Sequence, residues 1–198
     1  MEEIRIQEKP DWVEWNDIHD ILFNAHKANR DRGIFMRTSV LTGEELKKRL
    51  GDGICLVAFV GEKLAGTASI KFIQRNRWYA HEVIGDLMLL GILPEYKGLG
   101  IYKRLYTSLE DIAKQNKLNI LELDTNESNI TMQKISLGWG FKYVSMFASP
   151  YVKHYSVVMA KWLNGCPYPD LYLKIRYAVF CMKFKLRIRP GNIRRFDF

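Results

Sequence analysis

The stretch Ile92-Leu93-Pro94-Glu95-Tyr96-Lys97-Gly98-Leu99-Gly100-Ile101-Tyr102-Lys103 decides how this chain is read. Upstream of it, Val83 to Leu93 is almost continuously apolar, the pattern of a strand covered on both faces near the centre of a sheet. Downstream, Tyr102, Leu105, Tyr106, Leu109, Ile112 and Ala113 recur at helical spacing, which predicts a helix from Ile101 to about Asn116. Glu110 and Lys114 add an i,i+4 ion pair to it. Between strand and helix, two glycines let the backbone turn sharply and bare its amides where a helix N-terminus gathers partial positive charge. Such a loop binds phosphate. A plain strand-to-helix turn uses glycines in the same way, so Gly-x-Gly taken alone supports both readings about equally. A dinucleotide-binding loop needs a third glycine, and Lys103 stands in its place, so that reading is set aside.

Working outward, Ile4 and Ile6 alternate with polar residues as a first strand does. Pro10-Asp11 opens a helix in which Asp11 and Glu14 have capping-box spacing and Trp15, Ile18, Leu22 and Ala25 form the buried stripe. Asn29 to Leu41 reads as a loop. Thr42 and Glu45 repeat the capping signature before a short helix, Glu44 to Leu50, ended by Gly51-Asp52-Gly53. Ile54 to Val60, the turn Gly61-Glu62-Lys63 and Ala65 to Ile73 make a β-hairpin. Ile120 to Thr125 is a strand, Ile130 to Leu137 a short helix, and Phe141 to Phe147 with Ser156 to Trp162 a last pair of strands. The predicted fold class is α/β (α+β): a mixed, mainly antiparallel central sheet with helices on both faces.

With 198 residues, 47% hydrophobic and 26% charged, the chain suits one compact domain with a short appendage. No apolar run approaches the roughly 20 residues of a spanning helix. The acidic start, Met1-Glu2-Glu3, lacks the features of a secretory signal, so the cytoplasm is expected. Cys55, Cys166 and Cys181 show no Cys-x-x-Cys spacing and read as structural thiols. The four histidines (His19, His26, His81, His154) are scattered, and no metal is expected. A net charge of +8 favours an anionic ligand or surface without saying which.

Two blocks carry a resemblance. Ile92-Leu93-Pro94 followed by Lys97-Gly98-Leu99-Gly100-Ile101-Tyr102, and then Asn129-Ile130-Thr131-Met132 with Gly140-Phe141, resemble the paired motifs of the GNAT acetyltransferase superfamily in order and separation. Lys97 stands where the family has Gln or Arg, and Tyr102 replaces a small residue. The resemblance covers about residues 4 to 162, which makes 1–162 a GNAT-like domain and 163–198 a basic C-terminal extension.

The resemblance implies an N-acyltransferase that moves an acetyl or other acyl group from acetyl-CoA to an amine by direct attack in a ternary complex. It implies that pantetheine pairs along Leu90 and Ile92, and that the pyrophosphate lies on the backbone of Lys97, Gly98, Leu99, Gly100, Ile101, Tyr102 and Lys103. Asn129 then hydrogen-bonds the cofactor or a structural water. Asp86, six residues before Ile92, occupies a family position for the base that takes the amine proton, with pairing to a sheet or loop donor as the equal structural reading, and Asp124 occupies another such position. Ser136 stands where relatives carry a tyrosine that protonates the leaving thiolate; a serine is far less acidic, so solvent or another residue takes that part, with Tyr102 and Tyr143 as candidates whose commoner use is core or rim packing. An acyl-CoA-binding protein without turnover is the alternative. Nucleic-acid binding finds no helix-turn-helix, zinc or aromatic motif in its favour. The acceptor is expected to be a small-molecule or sugar-like amine, and Phe35, Arg37, Tyr151, His154 and Tyr155 would suit an anionic one. The oligomeric state is open, a homodimer included.

Residues 163–198 carry Lys174, Arg176, Lys183, Lys185, Arg187, Arg189, Arg194 and Arg195 against Asp170 and Asp197, a net +6 of the chain's +8. Leu171, Ile175, Val179 and Met182 fit one helical face, while Phe184, Leu186 and Ile188 alternate with cations as in an amphipathic strand, so a helix followed by a strand is predicted. Packing of both on the domain is the first reading; an anionic acceptor or an anionic membrane surface is the second.

Overall fold

The computed structural model describes residues 2–148 and 154–187. The chain divides into two compact units, Met1–Asn119 and Ile120–Phe198. Among the described residues the first unit contains β1 (Ile4–Glu8), α1 (Trp15–Ala25), α2 (Lys27–Asp31), α3 (Gly43–Leu50), β2 (Ile54–Val60), β3 (Lys63–Gln74), β4 (Val83–Ile92) and α4 (Ile101–Gln115). Its strands pair antiparallel in sequence order, β1 to β2 to β3 to β4. Cys55, Val57 and Phe59 of β2 pack in one cluster with Ile18, Ile21 and Leu22 of α1 and Leu46 and Leu50 of α3. Leu56, Ala58 and Val60, pointing to the opposite face by alternation, are buried as well. The sheet is thus covered on both sides, and α4, which packs on β1, β2 and β3, turns Ile101, Leu105, Leu109 and Ala113 inward.

In the second unit stand β5 (Ile120–Asn126), α5 (Ile130–Gly138), β6 (Lys142–Ala148), β7 (Tyr155–Trp162) and α6 (Asp170–Arg187). β7 pairs antiparallel with both β5 and β6. α6 packs on β6, held by Lys142 to Asp170 at 2.9 Å and by Tyr143 stacked on Tyr177 with centroids 4.9 Å apart. The mixed, mainly antiparallel α/β class expected from sequence is the one observed.

Three local expectations are corrected. The first helix starts later than Pro10-Asp11: residues 10–13 form a turn closed by Val13 N–H to Pro10 O at 3.1 Å, and the box is Glu14 with Asp17, whose carboxylate accepts the Glu14 N–H at 2.7 Å. Between Asn29 and Leu41 the chain is not all loop. α2 overlaps its start, stabilised by Lys27 to Asp31 at 2.8 Å, and Arg37–Ser39 makes a turn of 3-10 helix. Finally, the amphipathic strand expected at residues 183–189 is helix through Arg187. The i,i+4 stack of Phe180 on Phe184, 5.5 Å between centroids, needs helical geometry, and a strand there would leave a ladder of backbone groups in want of a partner. Ile188 and Arg189 lie outside the described residues.

Candidate functional site

β4 is interrupted where binding was expected. Thr67 pairs with Gly91 and Ser69 with Met88, so Leu89 and Leu90 stand opposite Ala68 alone, a β-bulge. Leu89 adopts φ 51°, a left-handed conformation that costs a residue with a side chain about 1–2 kcal/mol. Its side chain is only 1% exposed, in the cluster with α1 and α3, and that packing holds the strained backbone in place. Beyond the bulge Leu93 donates to Ala65 O at 2.9 Å, so alternation turns the polar groups of Ile92 toward the side of β4 away from β3.

The bulge carbonyl is tied to α1. A Cβ on Gly91 would lie 3.1 Å from both Ala25 Cβ and Leu22 Cδ2, so glycine lets the helix seat this closely on β4. His26, which caps the C-terminus of α1, then reaches Leu90 O with Nε2 at 3.0 Å. Asn29 Nδ2 donates to His26 Nδ1 at 3.4 Å, which leaves Nε2 as the protonated nitrogen. Burial lowers the His26 pKa to about 4, and the Arg30 and Lys97 cations push the same way against the opposing Leu90 bond. The ring is a neutral donor near pH 7. Nothing in the sequence singled out His26, because its partner lies 64 residues along the chain.

After β4, Pro94–Tyr96 makes one 3-10 turn. Gly98 (φ 87°) and Gly100 (φ 76°) then carry the chain into α4 through the left-handed region. A Cβ on either would meet nothing within 4 Å, so the backbone angle, not crowding, asks for glycine, and the space in front of the loop is open. Gly100 is the N-cap of α4; no side chain caps it and no acidic residue lies in the first turn. The first amides of a helix have no partner within it, and a glycine N-cap offers them no side chain, so the turn from Ile101 to Lys103 begins beside the partial positive charge of the helix end. The Ile101 side chain is buried and anchors the turn. Lys97, Leu99 and Lys103 are exposed, and Tyr102 is half-buried, its hydroxyl pKa pushed up by burial. The first unit therefore brings Leu90, Ile92 and the loop from Lys97 to Lys103 together at one end of β4.

Asp86 lies on β4 opposite Lys71. The Arg75 guanidinium stands 3.8 Å from its carboxylate, both side chains largely buried. Lys71 donates instead to Arg49 O at 2.9 Å.

In the second unit, Asp124 on β5 is exposed and pairs in register with Val158. Asn129 is the N-cap of α5: its Oδ1 accepts from Met132 N–H at 3.3 Å and its Nδ2 donates to Thr125 Oγ1 at 3.1 Å. Ser136 is fully buried and gives its hydroxyl proton to Met132 O at 2.9 Å. Tyr143 donates to Gln133 Oε1 at 2.9 Å, and burial raises its pKa. Of the residues expected at the acceptor, Phe35 is half-buried and Arg37 exposed; burial lowers the His154 pKa, and Tyr155 lies under Lys185 Nζ, 4.9 Å from the ring centroid. Tyr151 falls outside the described residues. Among the described residues no group of His, Cys, Asp or Glu is arranged to hold a metal ion, and no helix is long and apolar enough to cross a membrane.

A bulged strand that runs through two left-handed glycines into the head of a helix is a main-chain arrangement suited to phosphate. Residues 10–137 match the acetyltransferase (GNAT) family, and the chain belongs to that family, whose acyl donor is acetyl-CoA. Solved structures share the fold. A GNAT-family acetyltransferase from Streptococcus pneumoniae is 22% identical, with 81% of this chain and 99% of that one covered and a TM-score of 0.57. The ribosomal-protein-S18-alanine N-acetyltransferase from Escherichia coli is 15% identical, covering 81% and 94%, at 0.61. A GNAT-family acetyltransferase from Elizabethkingia anophelis with acetyl-CoA bound is 13% identical, covering 81% and 98%, at 0.61. No curated protein matches the chain.

Proposed function

We propose that the chain transfers an acetyl or other acyl group from coenzyme A to the amine of a small or sugar-like acceptor. The observation that carries this reading is the loop from Lys97 to Lys103, which passes through Gly98 and Gly100 in the left-handed region into the head of α4 and follows the bulged strand β4. In this reading the amides hold the pyrophosphate, and the main chain at Leu90 and Ile92 holds the pantetheine. The His26 bond to Leu90 O keeps that stretch of β4 in one conformation. Asp86, directly or through a water, takes the proton of the acceptor amine as its nitrogen attacks the thioester carbonyl. Collapse of the adduct breaks the carbon–sulfur bond and releases the thiolate, which takes a proton from solvent. Ser136 is a poor source for that proton, because Met132 O already holds its hydroxyl.

The same hydroxyl bond favours a second reading, a protein that binds acyl-CoA without turnover. An amine-acceptor screen reading free-thiol release separates the two. Thiol release that depends on an amine, and is lost with acetyl-CoA binding in Gly100→Val, is the expected result. Acetyl-CoA binding with no thiol release from any acceptor would leave the binding reading standing. Unchanged affinity in a folded Gly100→Val protein would remove the loop from both.

A further inference from the structure

α6 has two apolar faces. At about 100° per residue, Leu173, Tyr177, Phe180 and Phe184 fall on one side. Leu173 is buried, Tyr177 stacks on Tyr143 and Phe184 meets Tyr155 edge-on at 6.0 Å. Leu171, Ile175, Val179, Met182 and Leu186 fall on the opposite side, in one stripe about 22 Å long. All five are exposed, Ile175 by 56% and Leu186 by 81%. Cations separate the two faces: Lys174 and Lys185 run along one border, Arg176 and Lys183 along the other. The one acidic residue of the helix, Asp170, is engaged by Lys142. The sequence that follows keeps the sign, with Arg189, Arg194 and Arg195 against Asp197.

Packing on the second unit accounts for the inner face and leaves the outer one without a partner among the described residues. A water-facing helix would put polar residues there. The charges say what covers it. A second copy docked by the same face would bring cationic borders together, and the one carboxylate of α6, Asp170, is already held by Lys142. An anionic lipid surface matches both elements, since an interfacial helix sinks its apolar stripe to the level of the acyl chains while flanking lysines and arginines reach up to the headgroups.

We propose that the outer face of α6 docks on an anionic membrane surface, with Leu171, Ile175, Val179, Met182 and Leu186 inserted and Lys174, Arg176 and Lys183 against lipid phosphates. The helix lies in the interface and does not cross it.

The test is co-sedimentation of the full chain with vesicles of equal parts phosphatidylcholine and phosphatidylglycerol, and with phosphatidylcholine alone. The wild type should bind the mixed vesicles, weaken as salt rises, and bind the neutral ones at least tenfold more weakly, since each cation near an anionic surface contributes roughly fivefold. Ile175→Asp with Met182→Asp, and separately Lys174→Glu with Lys183→Glu, should each lose roughly tenfold or more on the mixed vesicles. All four positions face solvent, and circular dichroism confirms that each variant is folded. Equal sedimentation of either folded variant and wild type overturns the proposal, as does a wild type that ignores both vesicles. If sedimentation velocity finds a dimer that Ile175→Asp with Met182→Asp dissociates, while wild type ignores vesicles, the face belongs to a second copy and the proposal is equally overturned.

Discussion

Asp86 and Asp124 are the two carboxylates proposed for one task, and their surroundings differ. Asp86 is largely buried beside Arg75, whereas Asp124 is exposed. If Asp86 takes the proton, Asp86→Asn should lower kcat roughly 100-fold or more and leave acetyl-CoA affinity unchanged by calorimetry, while Asp124→Asn stays near wild type. The reverse ranking would move the base to β5. A second expectation concerns His26, whose pKa drops from an ordinary 6.5 to about 4 in the folded chain. Between these values the unfolded chain binds more protons than the folded one, so stability falls as pH falls through that window. The loss is of order 1–3 kcal/mol. Denaturant melts at pH 7 and pH 4.5 should show a smaller drop for His26→Gln, which keeps a donor for Leu90 O but does not titrate; identical drops would refute it. The glycines of the loop were legible in the sequence because their conformational demand is local. His26 and the Leu89 bulge were not, because each exists only through contacts with distant elements.

At the scale of elements, of two capping-box signals within a few residues, one was read correctly and one was not. Thr42 and Glu45 form the capping box of α3: Thr42 N–H donates to Glu45 Oε2 at 2.8 Å, and Glu45 N–H donates to Thr42 Oγ1 at 3.3 Å. Thr42→Ala should therefore cost about 1 kcal/mol in chemical denaturation, and a cost near zero would mean the box adds nothing. The first helix was misread because Asp11 and Glu14 have the right spacing, but so do Glu14 and Asp17, and only the turn at Pro10 decides between them. The tail was misread for a different reason. Period-two alternation over Lys183 to Arg189 also fits a helix with apolar residues on two opposite sides and cations between. Once α6 exists, its inner contacts, such as Lys185 to Glu127 at 2.6 Å, fix the choice, and Glu127 lies 58 residues away.

Across the whole molecule the three thiols form a graded set: Cys166 exposed, Cys181 half-buried, Cys55 buried. Burial also raises the pKa of Cys55 and Cys181, which thins their reactive thiolate. Alkylation of the native protein followed by mass spectrometry should modify Cys166 first, Cys181 more slowly, and Cys55 only after denaturant is added. Early labelling of Cys55 would contradict the packing of β2. The family and the sheet were thus open to reading from two motifs and a hydrophobic rhythm, while the pairing of distant groups had to come from the folded chain. The bulge also bears on anyone who mutates this protein. Leu89 is held at φ 51° and is buried. Glycine would ease the backbone but empty a core site at a cost of about 2–5 kcal/mol, and a β-branched residue would fill the site while resisting the angle. Comfort and packing cannot both be satisfied there. In a saturation library sorted for folded protein, position 89 should accept little beyond Leu and Met, an intolerance that owes nothing to chemistry at the side chain itself.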